Sequence, residues 1–283
     1  MRRTIALVLM AGGLGLAVWL VTLAVGSFRS SDKPKAVPTP GAPRPLRIVF
    51  PEGFTRRDMA ERIRAVDKIA LNERHVRARL SPQGYLALTA KSALPGRFAG
   101  DGKRRQLEGF LFPATYDFTR KTTTKQLVAR QLQAFHRNWA RVNLTYARSR
   151  HLTQYDVLII ASMVEKEVIA PEERALVAAV IYNRLHDGMA LQIDATTRYG
   201  LNVPPNQSLR ESQLHSSNPY NTRLVPGLPP TPIANPGLAS MQAAAHPAHV
   251  DYLYFVRKPD KVHHFFTASE RAFNNYKIAN GYG

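Results

Sequence analysis

One uncharged run limits what this chain can be. Thr4 to Phe28 is a stretch of 25 residues without a charged side chain, preceded by Arg2 and Arg3 and followed by Arg29. About 20 apolar residues span a bilayer, whereas the apolar core of a cleaved signal is about 7–15 residues long. No small-x-small cleavage site follows the run. Residues 1–28 therefore read as an uncleaved transmembrane anchor, single-pass in the cell (cytoplasmic) membrane. A long cleaved signal is the other reading, and both send the rest of the chain to the outer side. Lys33 and Lys35 join Arg29 in offsetting Arg2 and Arg3, so the positive-inside rule does not fix the orientation. Gly12, Gly13 and Gly15 lie inside the apolar run and form no nucleotide loop.

The charge is unevenly placed. The 283 residues carry a formal net charge of +19, and residues 1–150 hold 28 Lys and Arg against 9 Asp and Glu. Residues 151–283 hold 11 of each. A field of this kind attracts lipid headgroups, nucleic acid or acidic wall polymers. An exported chain meets membrane lipid and wall rather than nucleic acid. The cysteine count is 0, which excludes disulfides, thiolate metal sites and a thiol nucleophile.

Residues 29–45 contain five prolines and few large apolar side chains, the composition of a stiff extended linker. Beyond it, Leu46, Ile48 and Phe50 alternate as in a half-buried strand. Thr55 is placed to cap a helix with Met59, Ile63 and Val66 on one face, and a second short helix is expected through "NERHVRARL", 72–80. Residues 46–106 thus read as a small basic subdomain. The aromatic stretch from Leu107 to Phe118 is β-prone, with Pro113 confining it to an edge or bend. Leu127, Val128, Leu132 and Phe135 then recur at helical spacing.

The next helix poses a chemical question. Thr153 and Asp156 have the spacing of a capping box. After them Val157, Ile160, Val164 and Val168 make one apolar stripe, at about 100° per residue. Lys166 falls opposite that stripe, while Glu167 and Glu165 fall on its two flanks. Such a carboxylate can reach solvent or pair with Arg174 or Arg184. Alternatively, partial desolvation raises its pKa and makes it a general acid near neutral pH. A further helix, with Leu176, Val177, Val180, Ile181 and Leu185 on one face, is ended by Gly188. The loops that follow are rich in Asn, Gln, Thr, Tyr and Pro, which suits a sugar polymer and equally suits plain turn chemistry. Two strands, "DYLYFVRK" and "HHFFTASE", and a last helix from about Glu270 complete the chain. His246, His249, His263 and His264 lack zinc-ligand spacing, Ser-x-x-Lys and Gly-x-Ser-x-Gly are missing, and neither metal nor cofactor is expected.

Seven segments in order, "EGFLFPATYDF", "ASMVEKEV", "NRLHDGMALQIDATTRYG", "NPYNTR", "GLPPTPIANPG", "AAAHPA" and "YLYFV", resemble the YceG-like (MltG) endolytic murein transglycosylases. The resemblance covers Leu107 to the C-terminus, and more loosely the anchor and the basic subdomain. It implies an α+β fold with an N-terminal transmembrane helix at 1–28 and a linker at 29–45. A small LysM-like subdomain at 46–106 and a lysozyme-like, mainly helical catalytic domain with a small β-sheet at 107–283 would follow. It also implies cleavage of the bond between N-acetylmuramic acid and N-acetylglucosamine in peptidoglycan glycan strands, leaving 1,6-anhydro ends and terminating strand elongation. One glutamate would act as acid and then as base, and the resemblance assigns that role to Glu167. Glu165 is left as runner-up or supporting residue. Gln192, Asp194, Tyr199, Asn218, Tyr220 and Asn221 match the family's polar motifs and are expected along the glycan groove. Peptidoglycan strands, membrane lipid and peptidoglycan synthases are the implied partners. Val168 stands where lysozyme-like transglycosylases often carry a hydroxyl residue after the catalytic glutamate. Two rival readings remain at this level: a non-catalytic peptidoglycan-binding scaffold, and a hydrolytic muramidase using Asp194 as its second carboxylate.

Overall fold

A computed structural model describes residues 46–95, 98 and 104–282 of the chain. The expected anchor at 1–28 and linker at 29–45 lie outside these residues. No helix among the described residues is long and apolar enough to cross a membrane.

The alternation read in the sequence produces the first strand, β1 (Leu46–Val49), with Ile48 buried and its neighbours Arg47 and Val49 exposed. β1 pairs antiparallel with β4 (Thr115–Phe118), which buries Tyr116 and Phe118 on the matching face; Leu46 sits opposite Phe118. Between them lie α1 (Arg56–Arg74), α2 (Pro82–Ala90) and a minimal ladder of β2 (Ser92–Ala93) with β3 (Arg104–Arg105). Thr55 and Asp58 form a reciprocal capping box at the start of α1, and Met59, Ala60, Ile63 and Ala70 are buried.

The helix expected at 72–80 is corrected. α1 continues to Arg74 and stops where His75 turns left-handed with φ of 51°. The second helix begins later, where Ser81 caps the N–H of Gly84 and Pro82 takes a first-turn position that needs no amide hydrogen.

The remaining elements are α3 (Thr124–Trp139), α4 (Thr145–Ser149), α5 (Gln154–Glu167), a 3-10 turn (Pro171–Glu173), α6 (Arg174–His186), α7 (Asp194–Leu201), α8 (Glu211–Leu214), α9 (Leu238–Ala245), β5 (Tyr254–Arg257), β6 (His264–Thr267) and α10 (Glu270–Ala279). β5 and β6 form an antiparallel hairpin in which Arg257 faces His264. One apolar cluster runs from Ile48, Met59 and Tyr85 through Phe110, Phe118 and Phe135 to Leu158 and Ile160. The segment 46–106 and the segment 107–283 therefore share core side chains, and the strand that completes the first sheet comes from the second segment.

α5 is the hub. The capping box of Thr153 and Asp156 starts it, as expected. The one-sided stripe is corrected: every residue from Val157 to Val164 is buried, because α6, α9 and the loop around Ile233 enclose the helix. Each such aliphatic side chain contributes about 1.5–3 kcal/mol by leaving water. The helix also stops at Glu167 rather than running on, since Val168 is extended (φ −93°, ψ 130°). Glu165 and Glu167 thus stand in the last turn, where the buried helix emerges.

Candidate active site

The end of α5 delivers its two carboxylates to different places. Glu165 turns toward α9, where its Oε2 accepts the backbone N–H of Gly237 at 3.0 Å. Glu52 lies against the same glycine, and its pKa is raised by burial and by the Glu165 charge, with Arg174 opposing. Glu165 is not among the residues lining the cleft described next.

Glu167 borders a cleft of about 330 Å³ whose walls include Arg184, Gln192, Asp194, Arg223, Arg257 and His264. Protein packs densely around its carboxyl group while the residue keeps a partly exposed edge on the cleft. Desolvation is the largest influence and lifts its pKa to about 7. Arg257 opposes that shift, the Asp194 charge adds to it, and a hydrogen bond from the Ala195 N–H and the Arg198 charge oppose it. The backbone carbonyl of Glu167 also accepts a hydrogen bond from Arg257 Nη2 at 2.7 Å. Near neutral pH the group is therefore poised between its acid and its base form.

The cleft's other carboxylate is Asp194, the first residue of α7. Its Oδ1 accepts from Arg223 Nη2 at 2.6 Å and Nε at 3.0 Å, a fork that fixes its position. Gln192 adopts a left-handed backbone with φ of 55°, an uncommon conformation for a non-glycine residue. Its Oε1 accepts from Arg184 Nη1 at 3.3 Å, and the same guanidinium donates to the Ala190 and Leu191 carbonyls. Arg184 thereby folds the chain that carries Gln192 and Asp194 back toward Glu167.

Among the sequence-expected residues, Gln192 and Asp194 join Glu167 on this cleft. Tyr199, Asn218, Tyr220 and Asn221 engage their polar atoms within the protein. Tyr199 donates to Glu108 Oε2 at 3.0 Å, and Tyr220 Oη lies 2.8 Å from Thr231 Oγ1. Asn218 Oδ1 accepts the Tyr220 N–H, and its Nδ2 donates to the Gly200 carbonyl. Asn221 is fully buried, donating to the Leu214 and Ser216 carbonyls and accepting from Thr197. These four residues shape the loops beside α7 and do not line the Glu167 cleft.

A residue missed by sequence reasoning lies under those loops. Glu108 is buried and accepts the Arg56 backbone N–H at 3.0 Å, Asn235 Nδ2 at 2.8 Å and the Tyr199 hydroxyl. Burial raises its pKa to about 7, opposed first by Arg56. It joins the start of α1, the 235 loop and α7. A lone carboxylate inside the apolar run Leu107–Phe112 was the available signal.

Comparison with known proteins follows the same lines. The crystal structure of a yceG-like protein from Listeria monocytogenes superposes with a TM-score of 0.64 at 29% identity, covering 82% of this chain and 76% of that one. Proteins named endolytic murein transglycosylase are 31% identical in Bacillus subtilis and 32% identical in Streptococcus pneumoniae strain R6, over 75% and 77% of this chain. The chain spans 59% and 41% of those two relatives. The profile of the YceG-like family matches residues 31–278, and this chain belongs to that family.

Proposed function

We propose that this protein is a membrane-anchored endolytic lytic transglycosylase. Its substrate is the glycan strand of peptidoglycan, cut between N-acetylmuramic acid and N-acetylglucosamine. The observation that carries this reading is Glu167: a carboxyl group held on the wall of a cleft, with its pKa raised to about 7 by burial. Protonated, it gives its proton to the glycosidic oxygen as the bond to the anomeric carbon breaks. The carboxylate so formed removes the proton of the muramyl 6-hydroxyl, whose oxygen closes on the same carbon to give the 1,6-anhydro ring. No water is consumed, and the tethered nucleophile lowers the entropic cost. The relatives' names support the substrate class.

Asp194 in the same cleft supports a second reading, a hydrolytic muramidase in which it activates water. Arg223 donates both Nε and Nη2 to its Oδ1, which argues for a fixed electrostatic role instead. The LysM-like reading of 46–106 is supported by β1 followed by the helix pair α1 and α2, while the strand that pairs with β1, β4, lies beyond that segment at 115–118.

The test is digestion of purified glycan strands by the wild-type protein and by Glu167→Gln, with mass spectrometry of the ends. Wild type should yield anhydro ends. The variant should lose at least about 10³-fold in rate while remaining folded, a loss within the range of proton-transfer catalysis. Reducing ends from the wild type would move the assignment to hydrolysis. An active Glu167→Gln variant would remove Glu167 from its role.

A further inference from the structure

β6 brings a histidine to the edge of the same cleft. His264 is buried, yet it is one of the residues lining the space beside Glu167. Glu173, also buried, holds it twice. The His264 backbone N–H donates to Glu173 Oε1 at 2.9 Å, and the ring Nδ1 lies 2.6 Å from Glu173 Oε2. Glu173 ends the short 3-10 turn that follows α5, so its position is tied to that of Glu167. Phe255 meets the ring edge-on at 5.3 Å and Phe266 at 5.9 Å, which fixes its plane.

This geometry selects one tautomer. A carboxylate beside Nδ1 keeps the proton there, and Nε2 is left as a lone-pair acceptor. Two other acceptors of the cleft are held by protein cations: Asp194 Oδ1 by Arg223 and Gln192 Oε1 by Arg184. The cations Arg184, Arg223, Arg257 and Lys277 on its walls can only donate. A sugar carrying hydroxyl and acetamido groups brings donors that need an acceptor in this space.

We infer that His264 is a substrate-binding residue of this cleft, its Nδ1–H held by Glu173 and its Nε2 accepting a hydrogen bond from a hydroxyl or acetamido N–H of the bound sugar. The inference rests on the reading of the cleft as a glycan site. The charged groups that face the ring are Glu173 from the 3-10 turn, Arg257 opposite it on β5, and Asp260 in the hairpin loop. Burial and Arg257 act to lower its pKa, Glu173 and Asp260 act to raise it, and burial prevails. The ring is therefore neutral at pH 7. Acidification would turn Nε2 into a donor and remove the acceptor.

The inactive full-length Glu167→Gln protein gives the cleanest test, because it binds strands without consuming them. Adding His264→Asn to it should weaken binding of purified glycan strands at pH 7 at least about tenfold. Equal binding by the two folded proteins overturns the inference. In the active protein, His264→Asn keeps an amide N–H for Glu173 and places nothing at Nε2. It should raise KM and cut kcat/KM by about 10–100-fold with an unchanged thermal midpoint, and His264→Gln, which reaches the Nε2 position, should recover part of the loss. A folded His264→Asn protein with wild-type kcat/KM would also overturn it. If Glu167→Gln itself cleaves strands, the reading of the cleft has failed; if only the histidine tests fail, that reading stands without His264.

Discussion

The carboxyl group of Glu167, the last residue of α5, lies beside the backbone N–H of Ala195 in the first turn of α7, which favours its charged form. α7 needs such an acceptor. Its N-cap is Ile193, which has no side-chain oxygen to offer the free N–H groups of the first turn. The Glu167 carboxyl therefore stands where it can serve the free N–H groups of that turn. The positive end of α7 favours the charged form, and burial outweighs it.

The two duties of Glu167 separate by substitution. Glu167→Gln keeps an oxygen for the Ala195 N–H, whereas Glu167→Ala does not. Both should be inactive, but the alanine variant should unfold about 0.5–2 kcal/mol more easily than the glutamine variant. Chemical denaturation of the two variants checks this.

The charges around Glu167 predict opposite shifts of the pH–activity profile. The acid step needs the protonated form, so activity should fall as pH rises through about 7. Asp194 raises this pKa and Arg257 lowers it. Asp194→Asn should move the alkaline limb to lower pH, and Arg257→Gln should move it to higher pH. Profiles of kcat/KM for the two variants decide the point, and shifts in the same direction would contradict the assignment.

Stability should carry the same signature. Glu167 and Glu108 both rise from 4.5 to about 7 in the folded protein. Below about pH 4.5 the folded and unfolded chains are both protonated. Between about 4.5 and 7 the folded chain holds protons that the unfolded chain has released, so stability declines as pH rises through that window and levels off above it. The decline should be on the order of 1–3 kcal/mol per group. Denaturation of wild type and of Glu167→Gln across that range should show a shallower slope for the variant.

Glu108 joins three parts of the molecule, and its removal should be costly. Glu108→Ala leaves the Arg56 N–H, Asn235 Nδ2 and the Tyr199 hydroxyl without their acceptor in a buried site. A loss of about 3–5 kcal/mol is expected. Glu108→Gln, which keeps an acceptor oxygen, should lose less. Thermal melts of both variants rank them.

The neighbouring glycine is under a separate constraint. Gly109 has φ of +88°, and a Cβ there would lie 2.7 Å from Pro232 Cγ and 3.2 Å from Leu158 Cδ2. Gly109→Ala combines backbone strain with a clash against a rigid ring, so it should cost more than about 2 kcal/mol. A melting temperature equal to wild type would show that the 232 loop yields more readily than its packing implies.

Some of this protein was decided by neighbours in sequence. The capping box of Thr153 and Asp156, the alternation of Leu46 and Ile48, the helical spacing of Leu127, Val128 and Phe135, and the two C-terminal strands depend on contacts within a few residues, and they form as read. Of the residues that the family motifs pointed to, Gln192 and Asp194 share the Glu167 cleft, while Tyr199, Asn218, Tyr220 and Asn221 do not line it. The separate settings of the Glu165 and Glu167 side chains were not legible in the helical spacing, because both flank the same short stretch of helix. Packing of α9 gave Glu165 the Gly237 N–H, and packing of α7 brought the Ala195 N–H beside Glu167. Glu108, Arg257 and the Glu173–His264 pair were hidden for the same reason: each gains its setting from partners far along the chain. Hydrogen-bonding propensity and periodicity are local properties. The desolvation that raises a carboxyl's pKa depends on what tertiary packing places around it, and here that packing puts residues from three separate elements, α7, β5 and β6, around one glutamate.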